Sequence, residues 1–485
     1  MAALPSSVDD FTGRKVLILG VGILRGGIGM ARYCAEHGAE LRITDMRHED
    51  QLRPALKALK GIKAEYIWGR HREEDIDWAD IIVRNPGVPP DHPLLARARA
   101  QGKPVEMEIA YFIRHCPARL IAVTGTKGKT TTTTVLHRFL EASGRTVALA
   151  GNMGESAISL LDALRSEDEV LLEVSSYQLE GLVDRGGPIS IAIVTNVGDD
   201  HLDRYGTLDN YRSVKASIGK GQSEVDWLVL PASDRALAQL CEHYHSKKVF
   251  VHEADSPIGS QDWTLAAAAN IYIHDEEVVW QSPDGRRTPI ADMHDLKLLG
   301  AHNRVNVAFA AAAASIAGRS RSQMTGAMKS IAPVAHRLEP IGKAGGIEFI
   351  NDSAASAPLA VVAALDALAG RRPVVITGGD DKAADYSMMI AALQDAEAPV
   401  VLLPGSATGR LRADLAAIGY KYPVLAVATM SEAVDRAFSL ASSEPGAEVV
   451  LLSPGFSSHS VFINEFDRGA QFRDRAERVI SDSAG

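Results

Sequence analysis

Cysteine is scarce in this chain of 485 residues: there are three, Cys34, Cys116 and Cys241. They lie far apart, fit no metal-binding spacing and leave one over from any pairing. A disulfide framework is therefore not expected, and a reducing compartment is. Basic charge is not in excess either. Lys and Arg number 51 against 61 Asp and Glu, a net charge of −10, which argues against nucleic acid or an anionic membrane as the main partner. No apolar run approaches the roughly 20 residues of a membrane helix. The alanine-rich stretch from Val305 to Ala317 is too short and reads as a buried helix closed by Gly318. The opening MAALPSSVDD has neither a basic region nor an apolar one, so no secretory signal is expected. These absences predict a cytoplasmic protein with no membrane or nucleic-acid partner.

What is present is an ordinary globular composition, 46% hydrophobic and 23% charged, at a length that suits two to four domains. Strand-like and helix-like segments alternate. KVLIL, ELRITD, AEYIW and DIIVRNPG punctuate the first third, as in a doubly wound parallel sheet. A second series opens at RLIAVTG and runs through TVALA, EVLLEV, ISIAIVTNV, DWLVLP and KKVFVH. IYIHDEEVVWQ then predicts two short strands around an acidic turn, a small antiparallel addition. A third series includes GIEFIND, RPVVITGG, APVVLLPG, YPVLAV and AEVVLLSPG, with a helix starting at Pro358. The expectation is an α/β protein of three domains, residues 1–113, 114–334 and 335–485.

The segment AVTGTKGKTTTT carries the clearest chemistry. It follows a strand and precedes a helix. The general phosphate-loop pattern wants a glycine five residues before its Gly-Lys pair, and Val123 stands there instead. The physics survives that change. Gly125, Thr126, Lys127 and Gly128 can turn tightly and aim backbone N–H groups at phosphate oxygens. Lys129, Thr130 and Thr131 open the helix, whose N-terminus favours anions. Lys129 can reach the β- and γ-phosphates of ATP, and the Thr130 hydroxyl can ligate Mg²⁺.

TGTKGKTTT resembles the ATP loop of the Mur ligase family, which has Asn where this chain has Lys127. Further matches follow in order: GNMG, LEVSSYQLE, TNVGDDHLDRYGTLDNYRSVKASI, LLGAHNRVNVAFAAAAA, HRLE, NDSAASAP, GGDDK and LLSPGFSSHSVFINEFDRGAQF. They cover essentially the whole chain and resemble the branch that adds D-glutamate to UDP-N-acetylmuramoyl-L-alanine. The fold implied is a Rossmann-like N-terminal domain, a central ATPase-type domain with a mostly parallel sheet, and a C-terminal dinucleotide-fold-like domain. The resemblance implies two Mg²⁺ ions, with Glu173 on one and His201 serving the other. It also implies that CO₂ carbamylates Lys215, turning an ammonium that two dications would repel into an anionic ligand. The implied reaction has two steps. The substrate carboxylate takes the γ-phosphoryl group of ATP, and an amine then displaces phosphate from the acyl phosphate.

The N-terminal loop LGVGILRGGIGMARYCAEHGAELRITD also suits a dinucleotide, with Asp45 about 20 residues beyond the glycines. An NAD-dependent dehydrogenase is the competing reading. Its spacing is irregular, since Ile23, Leu24 and Arg25 interrupt the glycines, and a simple dehydrogenase has no use for the later ATP loop. The resemblance assigns Ile23, Leu24, Asp45 and Arg47 to the uracil or diphosphate of the substrate. It makes Arg84 to Gly87 a further wall and puts Asn152 near the muramoyl end.

At the C-terminal end the resemblance puts Asn303 and Arg337 on ATP and Asp352 on its ribose. The amino-acid site departs from the pattern: a Lys-Ala-Thr is expected after Asn-Asp-Ser, and Ala354-Ala355-Ser356 stands there. Ser356 replaces the threonine. Lys382 could pair with a substrate carboxylate, Ser457 or Ser458 could donate to it, and Phe462 and Phe466 are wall or core. With the lysine gone, L-glutamate stays open beside D-glutamate. A folate-elongating ligase shares the ATP loop but should lack the N-terminal domain. A degenerate, ATP-regulated scaffold should lack the set Lys129, Thr130, Glu173, His201 and Lys215. A monomer acting on small molecules is expected.

Overall fold

Apolar runs rich in β-branched residues, separated by helices, build three sheets. The computed structural model describes residues 8, 10–22, 25–153, 155–253, 267–381, 385–458 and 460–484. The first sheet holds β1 (Lys15–Leu19), β2 (Glu40–Asp45), β3 (Ala64–Trp68), β4 (Ile81–Arg84) and β5 (Val105–Glu106) in the order β3-β2-β1-β4-β5. All its pairings are parallel. Val16 to Leu19 are buried along their whole length, as a strand covered on both faces requires. The order reverses between β1 and β4, so a crevice opens beyond their carboxyl ends.

The second sheet comprises β6 (Arg119–Thr124), β7 (Val147–Gly151), β8 (Glu169–Glu173), β9 (Ile191–Val194), β10 (Trp227–Pro231), β11 (Lys247–Val251), β12 (Ala269–His274), β13 (Glu277–Gln281) and β14 (Arg287–Asp292). Its order is β14-β13-β12-β11-β10-β9-β6-β8-β7. It is parallel from β7 to β12 and antiparallel from there to β14. The acidic turn read from the sequence is a two-residue hairpin, with Asp275 at φ 47° and Glu276 at φ 62°, the left-handed pair that such a turn needs. The addition has one strand more than expected. β14 contains Pro289, which counts against a strand in sequence, but β14 is an edge strand, where proline is tolerated.

The third sheet orders β15 (Glu339–Ala344), β16 (Ile347–Asn351), β17 (Arg372–Thr377), β18 (Val400–Leu402), β19 (Val424–Ala426) and β20 (Ala447–Leu452) as β15-β16-β20-β17-β18-β19. β15 is again an unforeseen edge strand carrying a proline, Pro340, and is the one antiparallel member.

The chain divides into two compact units. One is Met1–His294 with Val305–Met328, the other Asp295–Arg304 with Lys329–Gly485. In the first, the helix Glu108–His115 joins the first two sheets into a single core. Its Ile109, Phe112 and Ile113 are buried among residues of both sheets, such as Ile18 and Leu120. Burying a side chain the size of Phe112 stabilises by about 2–3 kcal/mol. Among the described residues no helix is long and apolar enough to cross a membrane.

Candidate functional site

The phosphate loop sits at the carboxyl edge of β6, between β8 and β9. Val123 pairs with Glu173 on one side and Ile193 on the other. Gly125 has φ 154° and Gly128 φ 82°. A Cβ on Gly125 would lie 1.9 Å from the Thr195 hydroxyl, and one on Gly128 would lie 2.3 Å from Asn306 Oδ1. Glycine is thus required at both positions on two grounds, backbone angle and space. Gly128 is the N-cap of the helix Lys129–Glu141. The turn is held from the next strand. The Lys127 N–H donates to Asn196 Oδ1 (2.9 Å), and the Lys127 carbonyl accepts from Asn196 Nδ2 (2.9 Å) and Thr195 Oγ1 (2.6 Å). Lys129 folds back so that Nζ donates to the carbonyls of Gly125 (2.9 Å) and Thr126 (3.0 Å). Thr126 Oγ1 accepts from the Gly198 N–H. Thr130 is half-buried and Thr131 buried.

Glu173 ends β8 and is fully buried. Asn152 Nδ2 donates to its Oε1 at 2.8 Å, while Oε2 has no partner among the described residues. A buried carboxylate oxygen left unpaired is costly, and a cation would relieve it. His201 takes a left-handed conformation, φ 53°, at the start of the short helix Leu202–Tyr205. Its Nδ1 is 2.9 Å from the Tyr177 hydroxyl and its Nε2 is 3.7 Å from Asp200 Oδ2. Burial lowers its pKa, against the pull of Asp200.

Lys215 lies on the helix Leu208–Ala216 with 1% of its surface exposed. Its ammonium faces the Tyr211 ring, and among the described residues it has no ion pair. Burial first, and the charge of Lys129 second, push its pKa down to about 6. No group of three or more His, Cys, Asp or Glu among the described residues is arranged to hold a metal ion. Glu173 Oε2, partnerless among the described residues, is a hard oxygen donor of the kind that Mg²⁺ takes.

Asp45, Arg47, Gly87, Asn152, Lys129, His201 and Lys215, each expected from sequence, line one cleft of about 1090 Å³. Asp45 already has partners: Oδ2 accepts from the Gly22 N–H (2.8 Å) and Oδ1 from the Arg47 N–H (2.9 Å). It braces the glycine turn from the next strand. Ile23 and Leu24 lie outside the described residues. Sequence reading passed over Tyr177, Asp200 and Tyr211, which surround His201 and Lys215. The one available signal was Tyr211 four residues before Lys215, one turn away on a helix.

The second unit holds the remaining residues. Asp352 is buried and accepts from the Leu338 N–H (3.2 Å) and Ser453 Oγ (2.8 Å). Burial pushes its pKa up to about 7. Arg337 is exposed, between His336 at φ 63° and Leu338 at φ 44°. Asn303 Nδ2 donates to the Leu299 carbonyl at 2.7 Å. Ser356 is half-buried and Ser458 buried. Phe462 packs in a core with Phe349 and Phe472, and Phe466 is exposed. Lys382 lies outside the described residues.

Comparison with known proteins gives three family matches. Residues 14–106 match the N-terminal domain of MurD-like Mur ligases, 123–314 the Mur ligase middle domain, and 336–456 the Mur ligase glutamate ligase domain. The UDP-N-acetylmuramoylalanine–D-glutamate ligase of Roseiflexus sp. (strain RS-1) is 37% identical over 471 residues, 96% of this chain and 98% of that protein. The protein of the same name from Symbiobacterium thermophilum is 33% identical over 466 residues, 96% and 98% of the two chains. Among solved structures, the MurF ligase of Thermotoga maritima in complex with ADP matches with a TM-score of 0.56 at 16% identity, over 97% of this chain and 100% of that one. At that identity it speaks for the fold alone.

Proposed function

The chain belongs to the Mur ligase family, ATP-dependent ligases of peptidoglycan precursor synthesis, and from that premise we propose that it joins D-glutamate to UDP-N-acetylmuramoyl-L-alanine. The observation that carries the reading is the cleft that holds Asp45 and Arg47 together with Lys129, His201 and Lys215. Such a cleft suits a substrate with a nucleotide at one end and a carboxylate to be phosphorylated at the other.

The chemistry follows from the groups present. A free carboxylate is a poor acylating agent, because its leaving group would be oxide. In the first step a carboxylate oxygen of the substrate attacks the γ-phosphorus of ATP, giving an acyl phosphate and ADP. Lys129 leaves the loop carbonyls for the phosphates, and the N–H groups of residues 128–131, at the start of the helix, cradle them. Catalysis here is positioning and charge neutralisation. In the second step the amine of glutamate attacks the acyl carbon, and the tetrahedral intermediate expels inorganic phosphate and a proton.

Two Mg²⁺ ions, when bound, would neutralise the phosphate charge. Thr130, Glu173 Oε2, His201 Nε2 and a carbamate on Lys215 would hold them. Tyr177 occupies His201 Nδ1, which leaves Nε2 as the nitrogen for a cation. Lys215, as a neutral amine, would attack CO₂ and lose one proton to form the carbamate.

In this reading three domains divide the work: residues 1–113 bind the UDP end, 114–334 bind ATP, and 335–485 bring glutamate. Asn303, Arg337 and Asp352 serve ATP, and Ser356, Lys382 and Ser458 serve the amino acid. The enzyme acts as a cytoplasmic monomer. Ala354, where a lysine is expected, favours one second reading, the same ligation with L-glutamate. A panel of D- and L-amino acids, each tested with ATP, Mg²⁺ and the UDP substrate, decides. Phosphate release matched by a new amide with D-glutamate alone supports the proposal. Turnover with L-glutamate alone replaces it, and no amide with any acceptor refutes it.

A further inference from the structure

Three charged side chains outside the phosphate site are almost wholly buried together. Arg84 ends β4, Glu180 follows the helix Ser176–Leu179, and Arg204 lies on the helix that begins just after His201. Their side chains are 4%, 5% and 11% exposed. Arg204 grips Glu180 with two parallel bonds, Nε to Oε1 at 3.0 Å and an η nitrogen to Oε2 at 2.8 Å. Arg84 donates to the same Oε2 at 2.8 Å, and the Tyr205 hydroxyl donates to Oε1 at 3.2 Å. Both arginines also reach the loop that follows β4. Arg84 donates to the Val88 carbonyl at 2.9 Å, and Arg204 to the Pro86 carbonyl at 3.0 Å.

That loop, Asn85 to Val88, lines the cleft. On the opposite side the Arg204 guanidinium lies 5.0 Å from the Tyr177 ring centre, and the Tyr177 hydroxyl meets His201 Nδ1. A continuous path of short contacts therefore joins the wall of the nucleotide-substrate cleft to the His201 loop. Two guanidiniums share one carboxylate, so the group keeps one positive charge out of water. A hydrophobic contact would join the two sheets without that desolvation. What the charged group adds is direction, because a planar bidentate pair fixes angle as well as distance.

We propose that Arg84, Glu180 and Arg204 are positioning residues for the ligation. They set the Asn85–Val88 wall against the His201 loop, so that the substrate carboxylate arrives in line with the γ-phosphate. This rests on the ligase reading above. None of the three needs to touch a reacting atom.

The test uses the full chain with Arg204→Lys and, because the group is buried, Arg84→Met as a second variant that leaves the Glu180–Arg204 pair intact. KM for the UDP substrate, KM for ATP and kcat are measured, together with thermal stability and ATP binding without turnover. Arg204→Lys should raise KM for the UDP substrate by about tenfold and lower kcat by about ten- to a hundredfold, the scale of a misplacement near 1 Å. ATP affinity should stay within about twofold. Arg84→Met should raise the same KM by a few-fold. If both variants change thermal stability but leave the kinetics of the folded enzyme as in the parent, the group only joins the sheets and the proposal fails. Equal loss of ATP and UDP-substrate affinity also overturns it. A parent enzyme that forms no amide at all overturns the ligase reading instead.

Discussion

The Lys215 ammonium lies 4.5 Å from the centre of the Tyr211 ring, one turn back on the same helix. A ring face attracts a cation, but by only about 2 kcal/mol when desolvated, far less than a buried charge needs. The lysine answers by losing its proton more readily, with its pKa near 6. At neutral pH it is mostly the free amine, the form that can attack CO₂. Lys215→Ala should therefore be inactive and partly recover with added short carboxylic acids, which restore an anion at the vacated place. Full activity in the unsupplemented variant would remove the carbamate.

Lys129 lays its ammonium against the loop, on the carbonyls of Gly125 and Thr126. Lys129→Ala should lower kcat by at least about a hundredfold, as loss of a charge-stabilising donor does. Single-turnover assays of acyl-phosphate formation check this. Turnover at the parental rate would refute the phosphate-loop assignment.

Glycines in the chain divide by what surrounds them. Gly125→Ala drives a methyl into the Thr195 hydroxyl at φ 154°, so ATP binding should fall by about tenfold or more in calorimetry. Gly326 lies inside the helix Arg321–Met328 with open space where a Cβ would go. Gly326→Ala should leave ATP binding unchanged and stabilise by about 0.5–1 kcal/mol. Similar outcomes at the two sites would count against the loop geometry.

Asp352 ties stability to pH in the second unit. Its folded pKa of about 7 lies above the unfolded value of 3.8. The stability it contributes is fully present below pH 3.8 and is lost as pH rises through about 7. Asp352→Asn cannot ionise, so its stability relative to the parent should rise with pH across that window and level off above pH 7. The total change should be about 4 kcal/mol at most. Denaturant melts at pH 5 and pH 8 should capture about 3 kcal/mol of it at most. A pH-independent difference would show that the carboxyl titrates normally.

Features with a local cause were legible in the residues. Strand runs of Val, Ile and Leu, the Gly125 and Gly128 turn, and the hairpin at Asp275 and Glu276 are set by nearest neighbours, so spacing alone reveals them. The edge strands β14 and β15 were not, because a proline is tolerated there only once the strand is known to lie at an edge. Phe462 is core because Phe349 and Phe472 come to meet it, which no window around residue 462 discloses.

The residues by themselves determined the glycine turn between strand and helix, the local feature from which an anion site is expected. Tertiary structure alone decided the electrostatics of the charged groups. Asn152 meets Glu173 and Tyr177 meets His201 across more than 20 residues, Lys215 loses its water, and Arg84 meets Glu180 from another sheet. The reason is physical: a side chain's charge state depends on the dielectric and the partners around it, and these come from chain segments that only folding brings together.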